Sequence, residues 1–259
     1  MTEKLFIETD PRGVTTLTLN RPDKGNPFDA ELLTALSGAL RDASANAGVR
    51  VVVLRGAGKH FCTGADTGAM GGGAAPATSG ERITIATVCR DVAVCRKPVL
   101  AVVQGACIGG GLAVAAACDL VVAREDAFFS LPEVRLGFAP GPLIPFLLRG
   151  MGPRATRRYL LTAERFDAAQ ARAMELAHEV CSEADLEPTV ARMINVLLLG
   201  APGAQPAIKD LLDRPGIMDI GCEALAALQA GVDAAAATDE TKEGIASMRE
   251  KRPPSWYRK

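Results

Sequence analysis

The stretch PVLAVVQGACIGGGLAVAAACDLVVA, residues 98–123, decides the fold. It contains Gln104, four glycines and Asp119, so it lacks the roughly 20 uninterrupted apolar residues that a membrane-spanning helix needs. Its β-branched ends and glycine-rich middle instead predict a strand, a turn, a helix over 110–118 and a second strand. We therefore expect a buried α/β element and no membrane span.

The segments on either side continue this alternation of strands and helices. VRVVVLRG, residues 49–56, is a continuous apolar run typical of a strand that is buried on both faces. Asp29 is suited to cap a helix over 30–46, and LFIET and VTTLTLN predict an opening hairpin. Helical segments dominate after about residue 141. The order of elements predicts the α/β fold class, with no polar linker between independent domains.

Composition excludes several classes of protein. The chain has 259 residues and a net charge of −1, so it can bury a sizeable core but offers no electrostatic support for a nucleic-acid partner. Its seven cysteines form no CxxC pair and are odd in number, which argues against a disulfide framework. The opening residues, MTEKLFIETD, show no signal-peptide pattern. We expect a cytoplasmic protein.

Motifs for several common chemistries are missing. The sequence contains no GxxxxGK[ST] loop, no GxGxxG fingerprint, no GxSxG elbow and no HExxH. Neither His60 nor His178 belongs to a Cys or Asp cluster at metal-ligand spacing, although His60 adjoins a glycine-flanked segment and is open to ligand contact. We therefore expect no metal, nicotinamide or flavin cofactor.

Two glycine-flanked segments do suggest chemistry. KHFCTGAD (59–66) and VQGACIGGGLAVAAACD (103–119) each follow a predicted strand, and the second places three glycines where a helix begins. A helix N-terminus has free N–H groups, and glycine lets a ligand approach the backbone closely. Two such N–H groups converging on one thioester oxygen would form an oxyanion hole, whereas the structural alternative is a pair of tight turns.

Glu133 is the best placed carboxyl group. It follows Pro132 in FFSLPEVRLGFAPGPLIPFLLRG, residues 128–150, with apolar side chains on either side. Burial among such side chains favours the neutral carboxyl and suits proton transfer near neutral pH. The alternative is an ordinary exposed glutamate.

Four pieces together resemble the crotonase superfamily, the enoyl-CoA hydratases and isomerases. They are LNRPDKGNPFD, FCTGAD, AVVQGACIGGGLAVAAACDLVVA and FSLPEVRLGFAPG, in the family's order and spacing. The resemblance implies a spiral of ββα repeats over residues 1–195. It also implies a helical region over 196–259 that takes part in oligomerisation and closes the active site. A homotrimer or a dimer of trimers is expected.

The resemblance also implies roles for individual residues. Glu133 would be the acid/base, and the N–H groups of Ala65 and Gly110 would hold the oxygen of an acyl-CoA thioester. Lys24 would contact a phosphate of CoA. The backbone around Cys62, Gly64 and Asp66 would line the CoA site. Residues 67–80 are either a flap over the site or a surface linker.

One departure from the family pattern leaves the reaction open. Familiar hydratases carry a second glutamate shortly after the three glycines, where this chain has Ala113. A single glutamate resembles the family's Δ3,Δ2-enoyl-CoA isomerases, but bacterial hydratases of branched glutaconyl-CoA substrates share the loss and resemble the stretch after residue 136. We therefore expect an enoyl-CoA hydratase. The alternatives are an isomerase that uses Glu133 as its only base and a non-catalytic CoA-binding member.

Overall fold

The computed structural model describes residues 3–66, 83–214, 221–236 and 238–258. Within these ranges the chain forms nine strands and nine α-helices, in an alternating order that confirms the predicted α/β class. The elements in chain order are β1 (Leu5–Thr9), β2 (Val14–Leu19), α1 (Ala30–Ala45), β3 (Val51–Gly56), α2 (Ile85–Ala93), β4 (Val99–Val103), β5 (Ala106–Ile108), α3 (Gly110–Ala117), β6 (Leu120–Arg124), β7 (Phe128–Ser130), α4 (Ile144–Thr162), β8 (Phe166–Asp167), α5 (Ala168–Ala173), β9 (Glu179–Cys181), α6 (Leu186–Leu199), α7 (Ala204–Leu212), α8 (Cys222–Ala236) and α9 (Asp239–Glu250).

Six of the strands form the main sheet, in the order β1-β2-β3-β4-β6-β9. The β1–β2 pair is the predicted antiparallel hairpin, and the other neighbours run parallel. Asp29 caps α1 as predicted, because its side chain accepts a hydrogen bond of 2.9 Å from the Leu32 N–H. The cap fixes where the chain leaves the loop after β2 and enters the helix.

Both faces of the main sheet are covered, which explains the continuous apolar run of β3. Side chains alternate between the two faces of a strand, so Val52 and Val51 point in opposite directions. Val52 belongs to the large core cluster with α1, α2 and α3, whereas Val51 belongs to a smaller cluster with Val190 and Ile194 of α6. The prediction of a strand buried on both faces is therefore confirmed.

Three short strands, β5, β7 and β8, form a second sheet that the sequence analysis did not predict. An isolated bridge between Cys62 and Cys107 joins the segment after β3 to β5, and a bridge between Phe28 and Ala65 joins it to the loop before α1. These pairings bring the two glycine-flanked segments side by side.

The C-terminal helices follow α6, which runs through the expected boundary between the core (1–195) and the helical region (196–259). The division into these two parts stays a prediction. The guanidinium of Arg50 donates to the carbonyls of Trp256 (2.9 Å) and Gly200 (2.7 Å), and so ties the chain end to the end of α6. Helix α8 has no buried residue, and Leu225 and Val232 are 51% and 60% exposed. Among the helices of the described ranges, none has the length and apolar character needed to cross a membrane.

Candidate active site

A cavity of about 460 Å³ lies where the two glycine-flanked segments meet the chain after β7. Its walls come from residues within 63–65, 84–86, 108–110 and 132–143. These wall residues are mostly glycine, proline and aliphatic or aromatic residues, and Glu133 is the only one with an ionisable side chain among the residues that the structure describes. A mostly apolar pocket with a few polar groups is typical of a small-molecule site.

Glu133 is held in the cavity wall by a short 3-10 turn, Pro132–Leu136, which ends at the left-handed residue Gly137. Its side chain is 6% exposed, and its Oε2 atom is buried without a hydrogen-bond partner in the described part of the chain. Burial raises the pKa of this carboxyl group, because desolvation disfavours its charged form. An unpartnered buried carboxyl that faces a cavity is able to exchange a proton with a bound molecule.

The surroundings of Glu133 differ in part from the sequence-based interpretation. Val134, Leu136 and Phe138 are 45%, 60% and 42% exposed, so they do not enclose the carboxyl group, although Leu136 and Phe138 line the cavity. The close contact comes from Gly109, where a Cβ atom would lie 2.8 Å from the Oε1 atom of Glu133. Glycine is required there for space and also for its backbone angles, φ 54° and ψ −120°.

The N–H groups of Ala65 and Gly110 are both open at the cavity. Phe28 donates to the carbonyl of Gly64 and accepts from the N–H of Asp66, so this bridge leaves the Ala65 N–H unused. Gly110 is the first residue of α3, where an N–H has no partner within its own helix. Neither amide donates to an acceptor within the described ranges.

The two segments that carry these amides are in contact. A Cβ atom on Gly64 would lie 3.7 Å from the Gly110 nitrogen, and Gly64, Ala65 and Gly110 all line the cavity together with Glu133. The structure therefore brings together one buried carboxyl and two amides that have no acceptor in the described part of the chain, which is the arrangement that acyl-thioester chemistry needs. Their catalytic roles stay predictions.

The other residues predicted to contact CoA lie beside the cavity. Cys62 is fully buried behind the wall against Gly111, and burial raises the pKa of its thiol to about 12. Asp66 forms an ion pair of 2.8 Å with Arg21. Lys24 is exposed, and its carbonyl accepts a hydrogen bond from the Thr63 hydroxyl at 3.5 Å. Their predicted contacts with CoA stay predictions, and residues 67–80 lie outside the described residues.

Both histidines have structural roles. The Nδ1 atom of His60 accepts from the Ala106 N–H at 3.0 Å, and that of His178 accepts from the Val121 N–H at 3.1 Å. The position of the missing second glutamate, Ala113, is fully buried in α3 and does not line the cavity. Within the described ranges, no three His, Cys, Asp or Glu side chains come together as a metal site.

Sequence reasoning missed three consecutive wall residues, Thr84, Ile85 and Ala86. Thr84 caps α2 and the other two are its first residues, directly after a segment that has no periodic pattern, so nothing local indicated that they face the site. The only available signal was the Thr84–Thr87 spacing, which is typical of a capping box and would have placed the helix start.

Comparison with known proteins identifies the family. A family model described as "Enoyl-CoA hydratase/isomerase" matches residues 9–259. A putative enoyl-CoA hydratase of Thermus thermophilus is 31% identical, over 96% of this chain and 99% of that protein. A peroxisomal Delta(3,5)-Delta(2,4)-dienoyl-CoA isomerase of Arabidopsis thaliana is 30% identical, over 98% of this chain and 96% of that protein.

A solved structure agrees with the sequence matches. The crystal structure of an enoyl-CoA hydratase/isomerase from Marinobacter aquaeolei superposes with a TM-score of 0.90 at 30% identity, and covers 99% of this chain and 100% of that one. The fold is thus of the crotonase type. The chain belongs to the enoyl-CoA hydratase/isomerase family, in the crotonase superfamily.

Proposed function

We propose that the protein is an enoyl-CoA hydratase, which adds water across the 2,3-double bond of an acyl-CoA thioester. The observation that carries the proposal is the buried carboxyl of Glu133, whose Oε2 atom has no partner among the described residues. It shares a cavity with the amides of Ala65 and Gly110, which donate to no acceptor among those residues. The T. thermophilus relative, named a putative enoyl-CoA hydratase, supports the same reaction class.

In the proposed reaction the two amides donate hydrogen bonds to the thioester oxygen. Negative charge that develops there during addition is stabilised by these fixed donors. The Glu133 carboxylate takes a proton from water as the oxygen bonds to C3, and an enolate-like thioester forms. The same carboxyl group then delivers a proton to C2, so one water is added and Glu133 returns to its starting state.

Binding of CoA in this proposal uses groups next to the cavity. The backbone from Cys62 to Asp66 lines the path of the CoA chain, and Lys24 contacts a phosphate. The acyl-CoA is the substrate, and the proposed reaction uses no further cofactor. Cys62 is a free, buried thiol, which is compatible with the cytoplasmic location that we propose.

We also propose that the chain acts as a homotrimer or a dimer of trimers. Support comes from the apolar side chains that the C-terminal helices leave exposed, which include Leu212 of α7 (68%), Val232 of α8 (60%) and Met248 of α9 (79%). Apolar surface of this kind is commonly covered by another subunit.

A second candidate is Δ3,Δ2-enoyl-CoA isomerisation by Glu133 alone. The specific observation in its favour is that Glu133 is the only carboxyl on the described walls, with Ala113 buried elsewhere. Removal of a proton from C2 and its return at C4 need one base, and water does not enter the product.

The experiment follows the ultraviolet absorbance of the conjugated enoyl thioester. Crotonyl-CoA and 3-methylglutaconyl-CoA are tested as hydratase substrates and 3-enoyl-CoA as the isomerase substrate, with mass spectrometry of each product. Loss of absorbance with gain of one water supports the hydratase, whereas rising absorbance from 3-enoyl-CoA alone supports the isomerase.

Variants separate the site from the rest of the fold. Glu133→Gln should lower kcat by about 10³-fold. Glu125→Gln, at an exposed glutamate away from the cavity, should not change it. Binding of CoA thioesters without turnover of any substrate would replace both proposals with the non-catalytic alternative.

A further inference from the structure

Ile85 is the first residue of α2 and lies in the wall of the proposed acyl-CoA cavity. The start of the helix is fixed by a capping box, in which the Thr84 hydroxyl accepts from the Thr87 N–H and the Thr87 hydroxyl accepts from the Thr84 N–H, both at 3.2 Å. The Ile85 side chain also packs against the main core cluster. Its position in the wall is therefore set by the fold on both sides.

The tip of Ile85 lies against Gly110, whose N–H donates to no acceptor among the described residues. A Cβ atom on Gly110 would meet the Cδ1 atom of Ile85 at 2.6 Å and the Cγ2 atom at 3.0 Å. At the preceding residue, Gly109, a Cβ atom would instead meet the Glu133 carboxyl group, at 2.8 Å from its Oε1 atom. The Gly109–Gly110 backbone thus has the carboxyl on one side and a branched apolar side chain on the other.

This placement restricts the part of the substrate next to the thioester carbon. An oxygen held by the Gly110 N–H brings the thioester carbon and C2 to the same stretch of backbone. Glu133 must reach C2 or C3 to move a proton, so a substituent on C2 has to share the remaining space with Ile85. A fixed β-branched side chain leaves little room for it, since well-packed sites do not absorb an extra methyl group without strain.

We propose that Ile85 is a specificity-determining residue that disfavours acyl groups branched at C2. The inference rests on the proposed function, because it assumes that the thioester oxygen binds at the Gly110 amide. It concerns the shape of the acyl pocket and holds for hydration and isomerisation alike.

The test measures binding, so it does not depend on which reaction is catalysed. Butyryl-CoA and 2-methylbutyryl-CoA differ only by one methyl group on C2 and lack the double bond, and their dissociation constants are measured by isothermal titration calorimetry. Wild-type protein should bind butyryl-CoA about 10-fold more tightly or better, since one methyl group in a tight pocket is worth roughly 10–200-fold. In Ile85→Ala this ratio should fall to about 1–2.

Ile83→Ala is the matched control. Ile83 is also half-buried and packed on the core, two residues earlier, but it does not line the cavity. The ratio should remain at the wild-type value in this variant. Ile85→Val, which removes only the Cδ1 methyl group, should give an intermediate ratio and provides the test if Ile85→Ala does not fold.

Two results would overturn the inference, and they are distinguishable. A ratio that stays at the wild-type value in both Ile85 variants excludes Ile85 as the selecting group while the CoA-thioester site stands. Failure of wild-type protein to bind either thioester excludes the proposed function and this inference with it.

Discussion

Glu133 and Asp91 are both buried carboxyl groups, each 6% exposed, and they lie in contrasting regions of the molecule. Asp91, on α2, accepts a 2.5 Å hydrogen bond from the Ser37 hydroxyl of α1. It also forms a 3.2 Å ion pair with Arg41 of the same helix α1. Glu133 faces the apolar cavity, and its Oε2 atom has no partner among the described residues.

The difference separates a carboxyl that stabilises the fold from one that is available for chemistry. A buried charge normally costs free energy unless it is paired. The carboxylate of Asp91 is paired, because Ser37 and Arg41 of α1 contact it. The Oε2 atom of Glu133 has no such partner in the described ranges, and the two amides on the same cavity donate to no acceptor there. Polar groups left unsatisfied in this way are a feature of sites that bind another molecule.

The largest expected effect is on turnover by Glu133→Gln. Because glutamine cannot exchange a proton with the substrate, we expect kcat to fall by about 10³-fold, in line with a roughly 10²–10⁴-fold contribution of general acid–base catalysis. The folded state should be as stable as wild type or more so, since an unpaired buried carboxylate is removed. Steady-state kinetics and urea unfolding measure the two quantities. Turnover within threefold of wild type would remove Glu133 from the mechanism.

The next effect concerns Gly109, which keeps Glu133 in place. Gly109→Ala adds a Cβ atom 2.8 Å from the Oε1 atom and at a backbone φ of 54°, so we expect a loss of about 1–3 kcal/mol in unfolding free energy and a displaced carboxyl. We expect kcat to fall by at least about tenfold, as misplacement of a catalytic group predicts.

The control for this prediction is Gly38→Ala in α1. A Cβ atom there meets nothing within 4 Å, and alanine should stabilise the helix by about 0.5–1 kcal/mol. Unchanged kcat in Gly109→Ala would show that the carboxyl does not depend on the space beside this glycine.

Much of this fold was predictable because its strongest signals are local. The apolar run of β3, the Asp29 cap and the glycines before α3 each act within a few residues, and the structure has the predicted elements there. Strands β5, β7, β8 and β9 have three residues or fewer and carry no usable period. They exist through pairings distant in sequence, such as Cys107 with Phe129.

The candidate site was predictable in part for the same reason. Apolar neighbours in sequence suggested that Glu133 is desolvated, but the structure shows that Leu136 and Phe138 are partly exposed and that Gly109 makes the close contact. The position of Ile85 against Gly110 depends on how α2 packs on α3, and no sequence pattern contains that information.

The third effect tests Asp91, the buried carboxyl that we assign to fold stability. Asp91→Asn keeps the size of the side chain but removes the charge that Ser37 and Arg41 contact, so we expect a loss of about 1–3 kcal/mol in unfolding free energy. Turnover per folded molecule should stay within about twofold of wild type, because the residue does not line the cavity. A large fall in kcat with unchanged stability would reverse the roles assigned to the two carboxyls.

The smallest effect is a pH dependence of stability that belongs to Glu133. Burial raises its pKa in the folded state above the ordinary value of 4.5, so the folded protein holds the proton to higher pH than the unfolded chain does. The stabilisation from this proton is complete below pH 4.5 and is lost as the pH rises through the folded-state pKa. Unfolding free energies of wild type and Glu133→Gln, measured by urea titration from pH 4 to 8, should therefore diverge in favour of the variant as the pH rises and then run parallel. A difference that is constant over the whole range would show that the carboxyl group titrates alike in both states, and that burial does not raise its pKa.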